Sequence, residues 1–155
     1  MNNYQRNGQR DGFRGGNQTS AQQNKSRISE GFNPKWITEG VDEDCMKLCE
    51  ELAQDMVDKG VSSSFLRNVF GELRRIEAGG FEKHRSDFVL LRPKLAYSCG
   101  RAVKRNAKWK DVLEDFQNLY KKSAECVKHA DGFRNLVSIM EAIVAFHKAK
   151  GGEDK

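Results

Sequence analysis

The side chains best suited to chemistry in this sequence are four cysteines (Cys45, Cys49, Cys99, Cys126) and three histidines (His84, His129, His147). Two spacings resemble metal ligation, Cys45-x3-Cys49 and Cys126-x2-His129, each about one helical turn apart. Neither is a closed zinc pattern, since structural sites usually draw ligand pairs from turns at CxxC-type spacing. Each cysteine lies in an apolar helical pattern, which fits buried, reduced thiols without bridges. His84 stands between Lys83 and Arg85 in a loop-like stretch, and His147 ends an amphipathic run. With no Cys, Ser or carboxylate partner visible in the sequence, surface or packing roles are expected for both. No glycine loop that cradles phosphate and no nucleophile elbow is present. The sequence therefore predicts no enzyme, no cofactor and no bound metal.

What remains is charge. The chain carries 27 Lys and Arg against 22 Asp and Glu, a net +5, but its placement says more than its total. Residues 1–30 hold Arg6, Arg10, Arg14, Lys25 and Arg27 against Asp11 and Glu30. Residues 39–58 are strongly acidic, with Glu39, Asp42, Glu43, Asp44, Glu50, Glu51, Asp55 and Asp58 facing one base, Lys47. Residues 67–110 reverse the sign, with twelve bases against Glu72, Glu77, Glu82 and Asp87. A basic middle of this density implies a polyanionic partner, and the acidic segment implies a surface that avoids nucleic acid or meets a basic protein.

The elements that position these charges follow from periodicity. A chain of 155 residues fits one domain. Residues 1–30 are rich in Asn, Gln, Gly, Ser and Arg and nearly lack aliphatics, so they are expected to form a disordered tail. Within it Phe13-Arg14-Gly15-Gly16 is similar to segments that hold single-stranded RNA loosely, although one copy also suits a solubilising tail. Residues 31–155 read as helical throughout, with no period-2 strand. The first long helix runs from an Asp42 cap to Lys59 with Gly60 as its stop; Cys45, Leu48, Cys49, Leu52 and Met56 form its apolar face. The second follows Ser62-Ser63-Ser64 and ends at Gly79-Gly80. The stretch Phe88 to Leu91 meets Pro93, which either starts a new helix or kinks a continuing one, and the next helix is placed at about Pro93 to Arg105. Asn106 is expected to cap the following run, Trp109 to Tyr120, whose aromatic residues belong to packing. Asp131-Gly132 is read as a break before the last helix, and Gly151-Gly152 as its end. The fold class is all-α: an antiparallel bundle of about five helices behind a disordered N-terminal tail. No stretch approaches the roughly 20 apolar residues that span a bilayer, and the N-terminus has no apolar leader, so a cytoplasmic protein is expected.

Two helix faces gather the bases. On a wheel of residues 65–78, Arg67, Asn68, Gly71, Arg74 and Arg75 lie opposite the apolar arc. A glycine at 71 costs the helix about 1 kcal/mol relative to alanine, so it marks a close approach, either of a phosphate backbone or of another helix. On residues 94–108, Lys94, Ser98, Arg101, Arg105 and Lys108 form one stripe about 20 Å long, with no acid among them and with Tyr97 and Lys104 at its edge. An ordinary solvated face mixes Glu with Lys at i, i+4, and this one does not. Tyr97 either stacks on a base or closes the core, and core is the commoner fate.

Three blocks carry a resemblance. Ser62-Ser63-Ser64-Phe65-Leu66-Arg67, Leu91-Arg92-Pro93-Lys94-Leu95-Ala96-Tyr97-Ser98-Cys99-Gly100-Arg101 and Met140-Glu141-Ala142-Ile143-Val144-Ala145-Phe146-His147-Lys148 with its Gly-Gly sequel together resemble the small subunit of the type III-A CRISPR (Csm) effector complex, over about residues 36–152. The resemblance implies a non-catalytic helical subunit in several copies. Those copies lie along the guide RNA and target RNA beside the repeated backbone subunits and touch the large polymerase-cyclase subunit. Arg67, Lys94 and Arg101 are the RNA-binding positions that it supports most directly. Arg74, Arg75, Lys83, Arg85 and Arg105 are added from charge geometry. A protein-only scaffold whose basic face docks acidic partners is the alternative. An unrelated helical enzyme ranks last.

Overall fold

The computed structural model describes residues 30–153; the expected tail, apart from Glu30, lies outside them. The described residues form six helices and no strand: α1 (Lys35–Thr38), α2 (Glu43–Lys59), α3 (Ser63–Gly79), α4 (Arg85–Arg105), α5 (Lys110–Glu125) and α6 (Ala130–Ala149), with 3-10 turns at Glu82–His84 and Ala107–Trp109. Helix α2 begins where Asp42 accepts the Cys45 amide at 2.9 Å, and it ends at Gly60, whose φ of 78° suits the residue without a Cβ. Ser62 caps α3 in the same way through the Phe65 amide. The α2 start stands where the sequence places it, and α3 begins at Ser63, two residues earlier than expected, within the Ser62-Ser63-Ser64 run.

Helix α6 is the centre of the bundle. It packs against α1, α2 and α3, while α5 covers the other side of α2 and α4 closes over α5 and α3. The faces that meet are apolar: Leu48, Cys49, Leu52 and Met56 from α2, Leu66, Val69, Leu73 and Ile76 from α3, and Phe133, Leu136, Val137, Met140 and Ile143 from α6 are all buried. Each such side chain contributes roughly 1.5–3 kcal/mol on leaving water, so the set outweighs any surface pair. All four cysteines are free thiols, three of them in this core. The Cys49 thiol lies 3.7 Å from the Ile139 carbonyl, and its hydrogen bond with Cys45, together with burial, pushes its pKa up. The Cys45/Cys49 spacing is thus a core contact with α6.

Three boundaries differ from expectation. Pro93 neither starts a helix nor ends one, because α4 runs through it from Arg85. Its ring faces solvent while Leu91, Leu95 and Cys99 stay buried, so the missing amide donor falls on the side where water can satisfy the carbonyl it leaves. Asn106 makes no side-chain cap; the chain takes a 3-10 turn there before α5, and the Trp109 indole donates to the Lys59 carbonyl at 2.9 Å. Asp131-Gly132 is not the break, since α6 already begins at Ala130. Gly132 serves packing instead: a Cβ there would sit 3.3 Å from Ile37 Cγ2, and Asn135 fixes the same contact by donating to the Ile37 carbonyl at 2.8 Å.

The C-terminal end of α6 is tied to the start of α3. His147 is 1% exposed and its Nε2–H donates to the Val61 carbonyl at 2.7 Å. The Ser63 amide and hydroxyl both donate to the Glu153 carbonyl, at 2.8 and 2.9 Å, which satisfies a helix-start donor that has no partner within its own helix. Gly152 allows this turn because a Cβ would collide with the His147 ring. Replacing Gly152 by Ala is expected to lower the thermal midpoint by an amount typical of overpacking, about 1–3 kcal/mol. Gly71→Ala, on an open helix face, is expected to raise it by about 0.5–1 kcal/mol; thermal unfolding of the two variants checks both signs.

Candidate nucleic-acid interface

A shallow groove runs between α3 and α4. One stretch is lined by Phe65, Asn68, Val69, Glu72, Lys94 and Leu95. The next is lined by Ser62, Ser64, Arg101, Arg105, Asn106 and Trp109. Phe65, Asn68, Tyr97 and Ser98 line both, so the two are continuous. The floor is apolar and the α4 wall is cationic.

Lys94, Arg101 and Arg105 stand on one stripe of α4 because eleven residues are close to three turns. Between Lys94 and Arg105 the stripe covers about 17 Å at 1.5 Å per residue. None of the three makes an ion pair with a described carboxylate. Lys108 leaves the stripe, since α4 ends at Arg105 and the lysine lies in the following turn, close to Gly60. Tyr97 is not a core residue: it is 66% exposed, and the Arg101 guanidinium lies over its ring at 5.7 Å. Its position turns it away from the buried Leu91, Leu95 and Cys99, so the ring presents a face to whatever enters the groove. Cys99 beneath the stripe is pushed up to about 12 by burial and stays a thiol.

The bases of α3 are placed differently. Arg67 and Arg74 are exposed on the outer side of α3, together with Gly71, around which a Cβ would meet nothing within 4 Å. None of the described helices packs closely against that glycine. Arg74 pairs with Glu77 at 2.9 Å and lies over the Phe70 ring at 5.7 Å. Arg75 pairs with Glu72 at 3.0 Å and reaches Asp87 at 3.8 Å. Groove cations therefore come from α4, while α3 contributes Asn68, Phe65 and Glu72. Arg85 lies on the opposite side of α4, gripping Glu82 through two nitrogens at 2.7 and 3.1 Å and donating to the Lys128 carbonyl at 2.9 Å. Lys83 is exposed in the 3-10 turn beyond the far end of α4. Of the eight predicted positions, Lys94, Arg101 and Arg105 come together; Arg75 bridges to Asp87 at the Lys94 end of the groove, and Arg67, Arg74, Lys83 and Arg85 lie on other faces.

The sequence reading missed the carboxylate partners. His84 does have one, because its Nδ1 lies 2.9 Å from Asp87. The spacing that signals these pairs is i, i+3, present at Glu72/Arg75, Arg74/Glu77, Glu82/Arg85 and His84/Asp87. It placed Asn68 on the basic outer face with Arg67 and Arg74, whereas Asn68 lines the groove. No cluster of three or more His, Cys, Asp or Glu able to hold a metal occurs among the described residues, and none of the described helices is long and apolar enough to cross a membrane.

Fold and groove define a small all-helical bundle with one strongly cationic helix face. Residues 41–153 match the family model Csm2 Type III-A, and the chain belongs to that family, the small subunits of the type III-A CRISPR Csm complex. No curated protein and no solved structure matches the chain.

The His84 hydrogen bond, aided by Arg75, holds the Asp87 carboxyl below the usual carboxylate range. A depressed carboxylate adds stability above its unfolded pKa, near 3.9. That contribution is lost as pH falls through the lower folded value. Asp87→Asn is expected to be less stable than the parent at pH 7 and to converge with it in strong acid, as urea unfolding across a pH series would show.

Proposed function

We propose that this chain is a non-catalytic subunit that grips the guide and target RNA of its complex by the sugar-phosphate backbone, along the α4 stripe. The reading is supported above all by Lys94, Arg101 and Arg105, three aligned cations over about 17 Å, a length that suits several successive phosphates; none is in ion-pair contact with a described carboxylate, although Asp87 lies within electrostatic range of Lys94. A folded protein rarely leaves such a row unmatched unless an anion meets it. Asn68, Ser98 and Asn106 add neutral hydrogen-bonding groups along the same groove, and Tyr97 offers a ring on which any base can stack.

Recognition of this kind is indifferent to sequence. Base pairing between guide and target does the reading, and the protein needs to follow only shape and charge. Affinity of one subunit is modest and becomes effective when several copies line one RNA. In this reading the repeated backbone subunits and the large polymerase-cyclase subunit flank the chain, copies of it line the filament in the cytoplasm, and RNA cutting belongs to other subunits. Arg67, Arg74, Arg75, Lys83 and Arg85 act as outlying charges that strengthen the field without forming the groove.

The test is charge reversal with salt dependence. Lys94→Glu, Arg101→Glu and Arg105→Glu together are expected to weaken RNA binding strongly and to flatten the slope of log Kd against log salt by about 2, at roughly 0.7 per phosphate contact for single strands. The fold should persist, because all three side chains are exposed. Arg74→Glu with Arg75→Glu should change the slope less, since each already has a carboxylate. An unchanged slope in the α4 triple variant would sink the reading.

A further inference from the structure

A second cleft lies on the opposite side of α4, between that helix and α5, and the RNA reading does not use it. Its floor is aromatic and aliphatic: Phe81, Phe88 and Val127 line it, and Val89, 68% exposed, stands at its edge. The Phe81 ring is stacked on Phe133 of α6 at 4.9 Å and meets Phe88 edge-on at 5.5 Å, so the floor is held rigidly by the core. On the rim, Arg85 is fixed by Glu82, by the Lys128 carbonyl and by the Phe81 ring at 4.9 Å. Arg92 is different. It is exposed and makes no ion pair with a described carboxylate.

Tyr120 also lines this cleft. It is 1% exposed, and its hydroxyl is a buried donor with no hydrogen-bond partner among the described residues. Arg92 and Tyr120 line the same cleft; burial pushes the phenol pKa up, and the Arg92 guanidinium pulls partly against that. A buried hydroxyl without an acceptor is destabilising, and native structures rarely leave one so. An oxygen acceptor of negative charge, arriving from outside, would satisfy Tyr120 and Arg92 together.

We propose that this cleft is a protein-docking site that receives, from a neighbouring subunit of a different chain, a segment carrying a carboxylate beside an aliphatic or aromatic side chain. The carboxylate takes the Tyr120 hydroxyl proton donor and the Arg92 guanidinium, and the apolar neighbour covers Phe81, Phe88 and Val89. The chemistry disfavours nucleic acid here. Glu82 and Glu125 stand on the same rim and oppose a run of phosphates. The floor offers an acceptor-poor apolar surface, where the α3–α4 groove offers polar side chains. A protein held at this cleft and an RNA held along Lys94, Arg101 and Arg105 would occupy two sides of one helix, so α4 would be the element clamped between them.

The experiment is reconstitution of the type III-A complex with its other Csm subunits, followed by measuring how much of this chain remains after size exclusion at rising salt. Tyr120→Phe is expected to reduce retention roughly tenfold while leaving the unfolding midpoint of the free chain equal or higher, because it removes an unsatisfied donor. A purely structural tyrosine would lower that midpoint. Arg92→Glu should reduce retention at least as much, and Ala124→Trp, which fills the cleft, should abolish it. RNA affinity of the free chain should be unchanged in Tyr120→Phe and Ala124→Trp, which alter no charge, and should fall in Arg92→Glu no further than in a charge reversal at Arg74, so failure of this proposal and failure of the RNA reading are separable. Unchanged retention in Arg92→Glu and Ala124→Trp overturns the proposal. A fall in RNA affinity in Tyr120→Phe or Ala124→Trp overturns it in favour of nucleic acid, and loss of a homodimer of the free chain, seen by light scattering, overturns it in favour of a second copy.

Discussion

Helix α6 carries Phe133, Leu136, Val137, Ile139, Met140 and Ile143 around so much of its circumference that one neighbour cannot cover it. Such a helix is unstable in water unless it is surrounded. Here α1, α2 and α3 enclose it, which fixes their mutual spacing. Once α2 and α3 are set, α5 has one apolar face left to cover on α2, and α4 closes the gap between α5 and α3. The cationic stripe thus owes its position to a core that it barely touches: α4 buries only Leu91, Leu95 and Cys99, and most of its circumference is left to solvent and partners.

That arrangement explains why α4 is the richest surface of the protein. Three of its residues, Val89, Leu90 and Tyr97, are large hydrophobics left exposed, and Arg92, Lys94, Arg101 and Arg105 are cations in no ion pair with a described carboxylate. A helix that only supported the fold would not combine both. Helix α3, in contrast, settles its own charges through Glu72 and Glu77; such exposed pairs are worth little to stability but subtract from the field available to a polyanion.

Helix starts were legible in the sequence wherever a short polar side chain could satisfy a free amide, as at Asp42 and Ser62, and the α2 stop was legible from Gly60. The run through Pro93 was not, because whether a proline breaks a helix depends on whether its missing bond faces water, and that is a property of the assembled bundle. Gly132 misled for a related reason: a glycine required for close packing on Ile37 looks the same in sequence as a glycine required for a turn. On the candidate site, the unbroken bases of α4 were readable from their spacing, and Lys94, Arg101 and Arg105 do align. The separation of Arg85 from them, the exposure of Tyr97 and the inward role of Asn68 depend on which side of each helix meets a neighbour. The i, i+3 acids beside Arg74, Arg75 and Arg85 were visible in the chain, but a net charge cannot show that they are neutralised.

The tie between Ser63 and the Glu153 carbonyl joins residues ninety positions apart, and the His147 contact with Val61 is nearly as long-range. On the ribosome this has a directional effect. Helices α2 and α3 are synthesised long before the segment that encloses their apolar faces, so they leave the exit tunnel with those faces uncovered. Closing so large a loop is entropically slow, and the nascent chain must stay unaggregated until α6 emerges. The acids of residues 39–58 place strong like charge on the first long helix during that interval, and like charge opposes association while the core waits for its central element.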